Sequence, residues 1–165
     1  MMNDLEIRYA RAEEADDLLD LFEEVAAERR WIGTEPGFDR ERKRAAFLEA
    51  IARPDETPFW IARSGALAVG SLSVFHHVHA GLTIGMLVRA PYRRHGIGQA
   101  LIDRVFAWAR EHRVRELNLH VFPHNQAARA LYEKVGFREI ERFERDVVRQ
   151  SGEVWDAILM RKEFY

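Results

Sequence analysis

The stretch PYRRHGIGQALI, from Pro91 to Ile102, decides how the rest of the chain is interpreted. Three cationic or imidazole side chains come directly before two glycines: Arg93, Arg94 and His95, then Gly96 and Gly98. An apolar run follows and predicts a helix. The first amides of a helix have no intrahelical partner, and the helix dipole adds partial positive charge there. Glycine lets an anion approach those amides closely. The stretch therefore predicts a phosphate-binding turn, with a tight turn and solvated arginines as the alternative.

Composition narrows the class of protein. The chain has 165 residues, and its 25 Lys and Arg against 27 Asp and Glu give a net charge of -2. The length predicts one domain over residues 1–165, and the balanced charge argues against a nucleic-acid partner. With 0 cysteines, disulfides, thiolate metal sites and a cysteine nucleophile are excluded. The sequence shows neither a signal peptide nor a run of ~20 apolar residues, so we expect a cytoplasmic protein without a membrane partner.

Hydrophobic spacing along the chain predicts alternating strands and helices, which indicates an α/β fold. In the second helix, the spacing of Ala45, Leu48 and Ala52 predicts the buried face. The predicted elements, in order, are a strand at 5–10, a helix around 18–26, a helix at 40–52, strands at 59–64, 66–77 and 80–88, a helix after Gly98, a strand at 116–121, a helix from 126 to 135, and two tail strands between 137 and 162.

Two nucleotide-binding motifs do not fit the glycine stretch. The dinucleotide fingerprint needs a third glycine where this chain has Leu101. The P-loop needs Lys after its last glycine, but Gln99 follows Gly98. A nucleotide-binding regulator is kept as a third hypothesis, which predicts an affinity for ATP or NAD comparable with that for coenzyme A.

A known family has motifs that match two stretches of this chain. The stretch RRHGIG, Arg93 to Gly98, satisfies the acyl-CoA signature Q/R-x-x-G-x-G/A, and NQAARALYEKVGF, Asn125 to Phe137, matches a second signature of the same family. The chain resembles the GNAT superfamily of N-acetyltransferases over nearly its whole length. This resemblance implies an α/β (α+β) fold with a mixed, mostly antiparallel sheet of about seven strands and about four helices. The strands would splay at the acyl-CoA site.

The resemblance also implies a site for acetyl-CoA as co-substrate. The strand before the glycine turn would pair with the pantetheine arm through Met86, Leu87, Val88 and Arg89. The pyrophosphate would lie against Arg93, Arg94, His95, Gly96, Ile97, Gly98 and Gln99. Asn125 would form a hydrogen bond near the pantetheine arm, and Tyr132 would protonate the leaving thiolate as general acid. A phenol of pKa about 10 suits a thiol of pKa about 8.5. The alternative for Tyr132 is a core aromatic.

The general base is left open by the sequence. Many relatives carry a glutamate on the strand that leads into the glycine turn, but GLTIGMLV contains no acid. Glu35 and His120 are the candidates, and a base reached only through water is equally open. The loop RWIGTEPGF, residues 30–38, is the predicted acceptor loop, in which Trp31 would cover an apolar part of the substrate and Glu35 would pair with its ammonium. The alternative for Glu35 is a solvated loop acid, and that for His120 is a hydrogen-bonded strand histidine. The alternative for Trp31 is an aromatic residue that seals the core.

The leading functional hypothesis is an N-acetyltransferase in which the primary amine of a small molecule, amino acid or peptide N-terminus attacks acetyl-CoA directly in a ternary complex. The alternative is an acetyl-CoA-binding sensor or interaction module without turnover. A homodimer through the tail strands is a further hypothesis. Zinc is conceivable at paired histidines, but no cysteine or acid pair accompanies them, so we predict no metal. The histidines concerned are His76, His77, His79, His112, His120 and His124.

Overall fold

The structure is a computed structural model, and it describes residues 4–165. Within these residues the chain forms seven strands and four α-helices, and a short 3-10 turn precedes each of the first and third helices. The elements are β1 (Leu5–Tyr9), α1 (Ala15–Ala27), α2 (Arg40–Ile51), β2 (Phe59–Ser64), β3 (Leu67–His77), β4 (Gly81–Val88), α3 (Ile97–Glu111), β5 (Glu116–Val121), α4 (Gln126–Lys134), β6 (Arg138–Val148) and β7 (Val154–Glu163).

The strands form one sheet in the order β1-β2-β3-β4-β5-β7-β6. Neighbouring strands are antiparallel except β4 and β5, which are parallel. These two central strands pair at a single position, where Thr83 lies opposite Asn118, and they diverge beyond it. The predicted α/β fold with a mixed, mostly antiparallel sheet is confirmed, and so is the splay between its central strands.

The helices cover the two faces of the sheet separately. On β4, Ile84 packs in the large core with α3, whereas Leu87 packs with Leu21 and Val25 of α1. Successive side chains of a strand point to opposite faces, so α1 and α3 lie on opposite sides of the sheet. Helix α4 contributes Tyr132 to the α3 side. We refer to these sides as the α1 face and the α3 face.

Helix α2 begins as the sequence predicts but buries a different side. Asp39 caps its first turn by accepting a hydrogen bond from the amide of Arg42 at 3.0 Å. The buried residue of the helix is Phe47, while Ala45 and Ala52 are exposed. The predicted face of this helix was therefore wrong. The side that carries Phe47 is buried because its ring packs against Phe59 and Phe22 under the helix. An aromatic ring removes far more apolar area from water than an alanine side chain does.

A buried asparagine holds the two central strands together where they still pair. Asn118 is 0% exposed and donates through its side-chain amide to the carbonyls of Ala80 at 2.7 Å and Leu82 at 3.0 Å. Its oxygen accepts from Nε of Arg161 on β7 at 2.7 Å. Asn118 thereby links three strands at the point where β4 and β5 separate.

Replacing Asn118 by leucine should lower the free energy of unfolding by about 2–3 kcal/mol, because two buried carbonyls lose their donor. Urea denaturation measures the change. The same type of substitution at the exposed Gln126, Gln126→Leu, should change stability by less than about 0.5 kcal/mol. Equal stability of Asn118→Leu and wild type would show that these hydrogen bonds do not hold the strands.

Candidate functional site

The glycine turn ends in an open helix N-terminus. Helix α3 begins at Ile97, and Gly96 before it adopts a left-handed conformation with φ of 82°. Among residues 4–165 no side chain caps this end, and the first turn contains no acidic residue. The amides of the first turn lack intrahelical partners in any α-helix. Here they are also left without a capping side chain, which is the arrangement that suits an anion.

Gly98 is favoured by close packing rather than by its backbone angle. A Cβ atom built there would lie 3.1 Å from Cδ2 of Leu131 on α4 and 3.3 Å from Cε of Met86 on β4. Both distances are shorter than ordinary van der Waals contact. The second glycine of the motif therefore lets α3, α4 and β4 meet beside the open helix end.

Arg93 supports the turn from below. Its Nε donates to the carbonyl of Val88 at 2.8 Å, and its two terminal nitrogens contact the carboxylate of Glu28 at 2.9 and 2.6 Å. Its backbone amide donates to the carbonyl of Ala90 at 3.2 Å. The donors of Arg93 are thus occupied in tying the turn to the end of α1.

Two other residues of the predicted phosphate and arm sites also have internal partners. Arg89 forms an ion pair with Glu24 and donates from Nε to the carbonyl of Ala68 at 3.0 Å. His95 is exposed, and its Nδ1 contacts the carbonyl oxygen of Arg93 at 2.7 Å. Neither residue lines the cleft described next.

A cleft of about 1590 Å³ passes through the sheet where β4 and β5 diverge. It is lined from both faces, by Phe22 of α1 on one side and by Tyr132 of α4 on the other. Of the residues predicted from the sequence, its wall contains Met86 to Val88, Arg93, Arg94, Gly96 to Gln99, Asn125, Tyr132, Trp31 and His120. Arg89, His95 and Glu35 are the predicted residues that do not line it.

Arg94 is an exposed cation that lines the cleft. It adopts a left-handed conformation with φ of 63° and makes no ion pair within residues 4–165. Its guanidinium is therefore available to a ligand, unlike that of Arg93.

Tyr132 reaches the cleft from the α3 face. Its ring packs at 5.8 Å against Phe137, and burial raises its pKa to about 12. The hydroxyl makes no hydrogen bond with any residue from 4 to 165, although the side chain lines the cleft. The phenol of Tyr132 is thus a neutral donor with a free hydrogen.

Asn125 begins the same helix by accepting a hydrogen bond from the amide of Ala128 at 3.3 Å.

His120 reaches the cleft from the α1 face. Its ring lies 4.8 Å from the ring of His77, whose Nδ1 accepts the backbone amides of His79 and Ala80, both at 3.2 Å. Burial lowers the pKa of His120 below 6.5, the neighbouring His77 lowers it further, and Asp146 acts in the opposite direction. His120 is therefore neutral at pH 7 and able to accept a proton.

Glu35 is held outside the cleft. Its carboxylate lies 3.2 Å from Nε of Arg149 and accepts the backbone amide of Gln150 at 3.0 Å. The side chain of Arg149 is 3% exposed and also donates to the carbonyl of Ile32 at 3.2 Å. Glu35 thus joins the acceptor loop to the turn between β6 and β7. The structure does not bring it together with Tyr132 and His120.

A bulge in β6 turns Asp146 toward the cleft. The pairing with β7 shifts between Phe143 and Val147, and Arg145 within this segment has φ of 52°. The amide of Arg145 donates to Asp156 at 2.9 Å, and that bond is the main reason why the pKa of Asp156 is lowered. Bulges of this kind re-aim side chains next to functional sites.

Sequence reasoning gave no role to several residues of the cleft wall, among them Lys43, Glu141 and Asp146. His77 was considered only as a metal ligand, and among residues 4–165 no group of three acids or histidines is arranged to hold a metal ion. Asp146 owes its place to the bulge, for which the sequence has no glycine signal. Lys43 was missed because its position one helical turn before Phe47 becomes informative only once Phe47 is known to be buried.

Comparison with known proteins identifies the family. The model of the acetyltransferase (GNAT) family matches residues 16–137. The chain belongs to this family of acyl-CoA-dependent acetyltransferases. It is 29% identical to an acetyltransferase of Sodalis glossinidius over 133 residues, which are 81% of this chain and 87% of that protein. A shorter match to the uncharacterised N-acetyltransferase YycN of Bacillus subtilis, 45% identical over 51 residues, covers 31% of this chain and only 33% of that protein.

The fold of the GNAT domain is shared with solved structures. The structure of yncA from Salmonella typhimurium, determined with its cofactor acetyl-CoA, aligns with a TM-score of 0.83 at 17% identity and covers 98% of this chain and 94% of that one.

Among residues 4–165, none of the helices has the length and apolar character needed to cross a membrane.

Replacing Arg94 by alanine should weaken acetyl-CoA binding about three- to tenfold, because an exposed charge-assisted contact to phosphate is lost. Isothermal titration gives the dissociation constant, and the loss should shrink as salt is added. Arg104→Ala removes an exposed cation of helix α3 that lies outside the cleft, and it should leave binding unchanged. Equal effects of the two substitutions would contradict a phosphate contact at Arg94.

Proposed function

We propose that this GNAT protein is an N-acetyltransferase that transfers an acetyl group from acetyl-CoA to a primary amine by direct attack in a ternary complex. The observation that carries the proposal is the cleft through the sheet, which joins an open helix N-terminus and the free hydroxyl of Tyr132 on one face to the neutral imidazole of His120 on the other. Two substrates entering from opposite faces would meet between the diverging strands.

The residues present fit acetyl-CoA. The open end of α3 and the exposed Arg94 suit its pyrophosphate. Beyond Thr83, the edge of β4 that faces β5 has no ladder partner within residues 4–165, so the free backbone groups on this edge between Met86 and Val88 are available to an extended pantetheine arm. The carbonyl of Val88 is the exception, because it accepts a hydrogen bond from Nε of Arg93. The yncA structure, which has the same fold, supports this assignment because it contains acetyl-CoA.

Tyr132 would act as the general acid. Acetyl-CoA supplies the acetyl thioester, in which the amine nitrogen bonds to the acyl carbon while the C–S bond breaks and sulfur leaves with the electron pair. The Tyr132 phenol gives its proton to that sulfur. A pKa of about 12 keeps the phenol protonated throughout the working range of pH, so the donor is always loaded.

His120 would act as the base, directly or through one water. An alkylamine of pKa ~10.4 is almost entirely protonated at pH 7 and cannot attack until it loses a proton. His120 is neutral there, lines the cleft on the side opposite Tyr132, and is steadied by the neighbouring His77. This assignment replaces the strand glutamate of many relatives, and it leaves Glu35 with the structural role described above.

The whole chain would serve this one activity. The strands from Leu5 to Glu163 build a single sheet, which supports one acetyltransferase domain over residues 1–165. A homodimer remains a prediction, for which β6 at one edge of the sheet would be the available strand.

Replacing Tyr132 by phenylalanine should lower kcat about 10²- to 10⁴-fold and leave the dissociation constant of acetyl-CoA nearly unchanged, because only the proton donor is removed. Thiol release across a panel of amines measures kcat, and the cysteine-free chain adds no background. Tyr9→Phe, at an exposed tyrosine outside the cleft, is the control. If wild-type protein binds acetyl-CoA but none of the amines in the panel causes thiol release, the result would favour the binding module instead.

The acid limb of kcat/KM should lie below pH 6.5, because His120 accepts a proton only in its neutral form and its pKa is lowered. His120→Gln should reduce kcat/KM about 100-fold near neutral pH and remove this limb. The exposed His76, outside the cleft, provides the control His76→Gln. A limb unchanged in His120→Gln would assign the titration to another group.

A further inference from the structure

Lys43 lies on the inner side of α2. It precedes Phe47 by four residues and Ile51 by eight, and residues at this spacing share a helix face. Phe47 is buried, so Lys43 is directed inward as well, and its side chain lines the cleft on the α1 face. The lysine therefore belongs to the part of the cleft that faces away from Tyr132 and the glycine turn.

The ammonium of Lys43 has aromatic neighbours but no counter-ion among the residues from 4 to 165. Its Nζ lies 5.2 Å from the ring centroids of both Phe22 and Phe38 and 5.7 Å from that of Phe47. The only hydrogen bond it makes within residues 4–165 is to Oγ1 of Thr34, at 3.4 Å. Burial lowers its pKa, and no carboxylate raises it. Contacts with aromatic rings offset only part of the cost of keeping a charge out of water.

The charges of the cleft are divided between its walls. Four lysines and arginines among residues 4–165 line the cleft, namely Lys43, Arg93, Arg94 and Lys134, and of these only Lys43 belongs to a helix on the α1 face. Two carboxylates, Glu141 and Asp146, line the cleft from β6 and have no ion pair within residues 4–165. His120 lies near Asp146, close enough for that carboxylate to influence its pKa. One end of an acceptor would thus meet a cation, and the other would meet carboxylates and a base.

Apolar rings line the space between these charges. Phe75 of β3 is 41% exposed although it is a large apolar side chain, and it lines the cleft together with Phe143 of β6 and Trp31 of the acceptor loop. Rings exposed within a concave surface indicate contact with an apolar ligand group.

We propose that Lys43 and Thr34 bind the carboxylate of the acceptor, and that the acceptor is an amino acid with an apolar side chain. The amine of such a zwitterion faces Asp146 and His120, its carboxylate faces Lys43, and its side chain packs on the aromatic wall. A polyamine or aminoglycoside is disfavoured, because one of its further cations would lie against the ammonium of Lys43. This inference rests on the proposed acetyl transfer and specifies its substrate class.

The test compares acceptors that differ only in the carboxylate: L-phenylalanine with phenethylamine, and L-leucine with 3-methylbutylamine. Acetyl transfer is followed for wild type, Lys43→Met, Lys43→Arg and the control Arg42→Met, which removes an exposed cation from the same helix outside the cleft. Equilibrium binding of the same four probes is measured in parallel by calorimetry with coenzyme A present. Melting temperatures verify that each variant is folded.

Wild type should prefer the amino acid of each pair at least about tenfold, in KM and in binding. Lys43→Met should abolish that preference without weakening the plain amine, Lys43→Arg should retain part of it, and Arg42→Met should behave as wild type. The inference is overturned if wild type favours the plain amines, if Lys43→Met weakens both members equally, or if the folded protein binds neither amino acid.

The two proposals fail differently. Acetylation of plain amines by a route that depends on Tyr132, with no carboxylate preference, would refute the role of Lys43 and retain the acetyltransferase. Binding of amino acids that requires Lys43, without thiol release from acetyl-CoA, would support the carboxylate site and refute the proposed catalysis.

Discussion

The single pairing of β4 with β5 at Thr83 and Asn118 is the constraint on which the site depends. If the strands paired along their whole length, the sheet would have no gap between β4 and β5, and no cleft would connect its two faces. If they did not pair at all, a sheet edge would be left open beside a buried core. The buried amide of Asn118 resolves this by bonding the carbonyls of Ala80 and Leu82 and accepting from Arg161, so the strands are joined at one end and open at the other.

Most of the fold was predictable because its signals are local. Alternation gave β5 at residues 116–121, the capping residue Asn125 gave the start of α4, and the glycine stretch gave the start of α3. Each signal involves residues within one or two turns of each other. The face of α2 was not predictable in this way, since it depends on where Phe22 and Phe59 lie after folding. That error also concealed Lys43.

The candidate site was predictable in its backbone and less so in its charges. Gly96 and Gly98 lie where the motif implied. The ionic side chains differ, because an ion pair can be made with any part of the chain. Arg93 forms an ion pair with Glu28, 65 residues away in the sequence, and Glu35 forms one with Arg149, far along the chain. Composition and spacing carry no information about such partners, so the sequence did not reveal that Arg93 and Glu35 form ion pairs that hold loops in place.

The two halves of the cleft differ in how far they lie within the span matched by the family model. The half with the glycine turn and Tyr132 lies within residues 86–132, inside the span matched by the family model. The other half draws Asp146 from β6, which follows residue 137 where that match ends, and the bulge that presents it is fastened by Asp156. Insertions or substitutions in β6 can therefore remodel one pocket while the other is inherited intact. Such a division makes the scaffold evolvable, because new acceptors need no new way of holding the acyl donor.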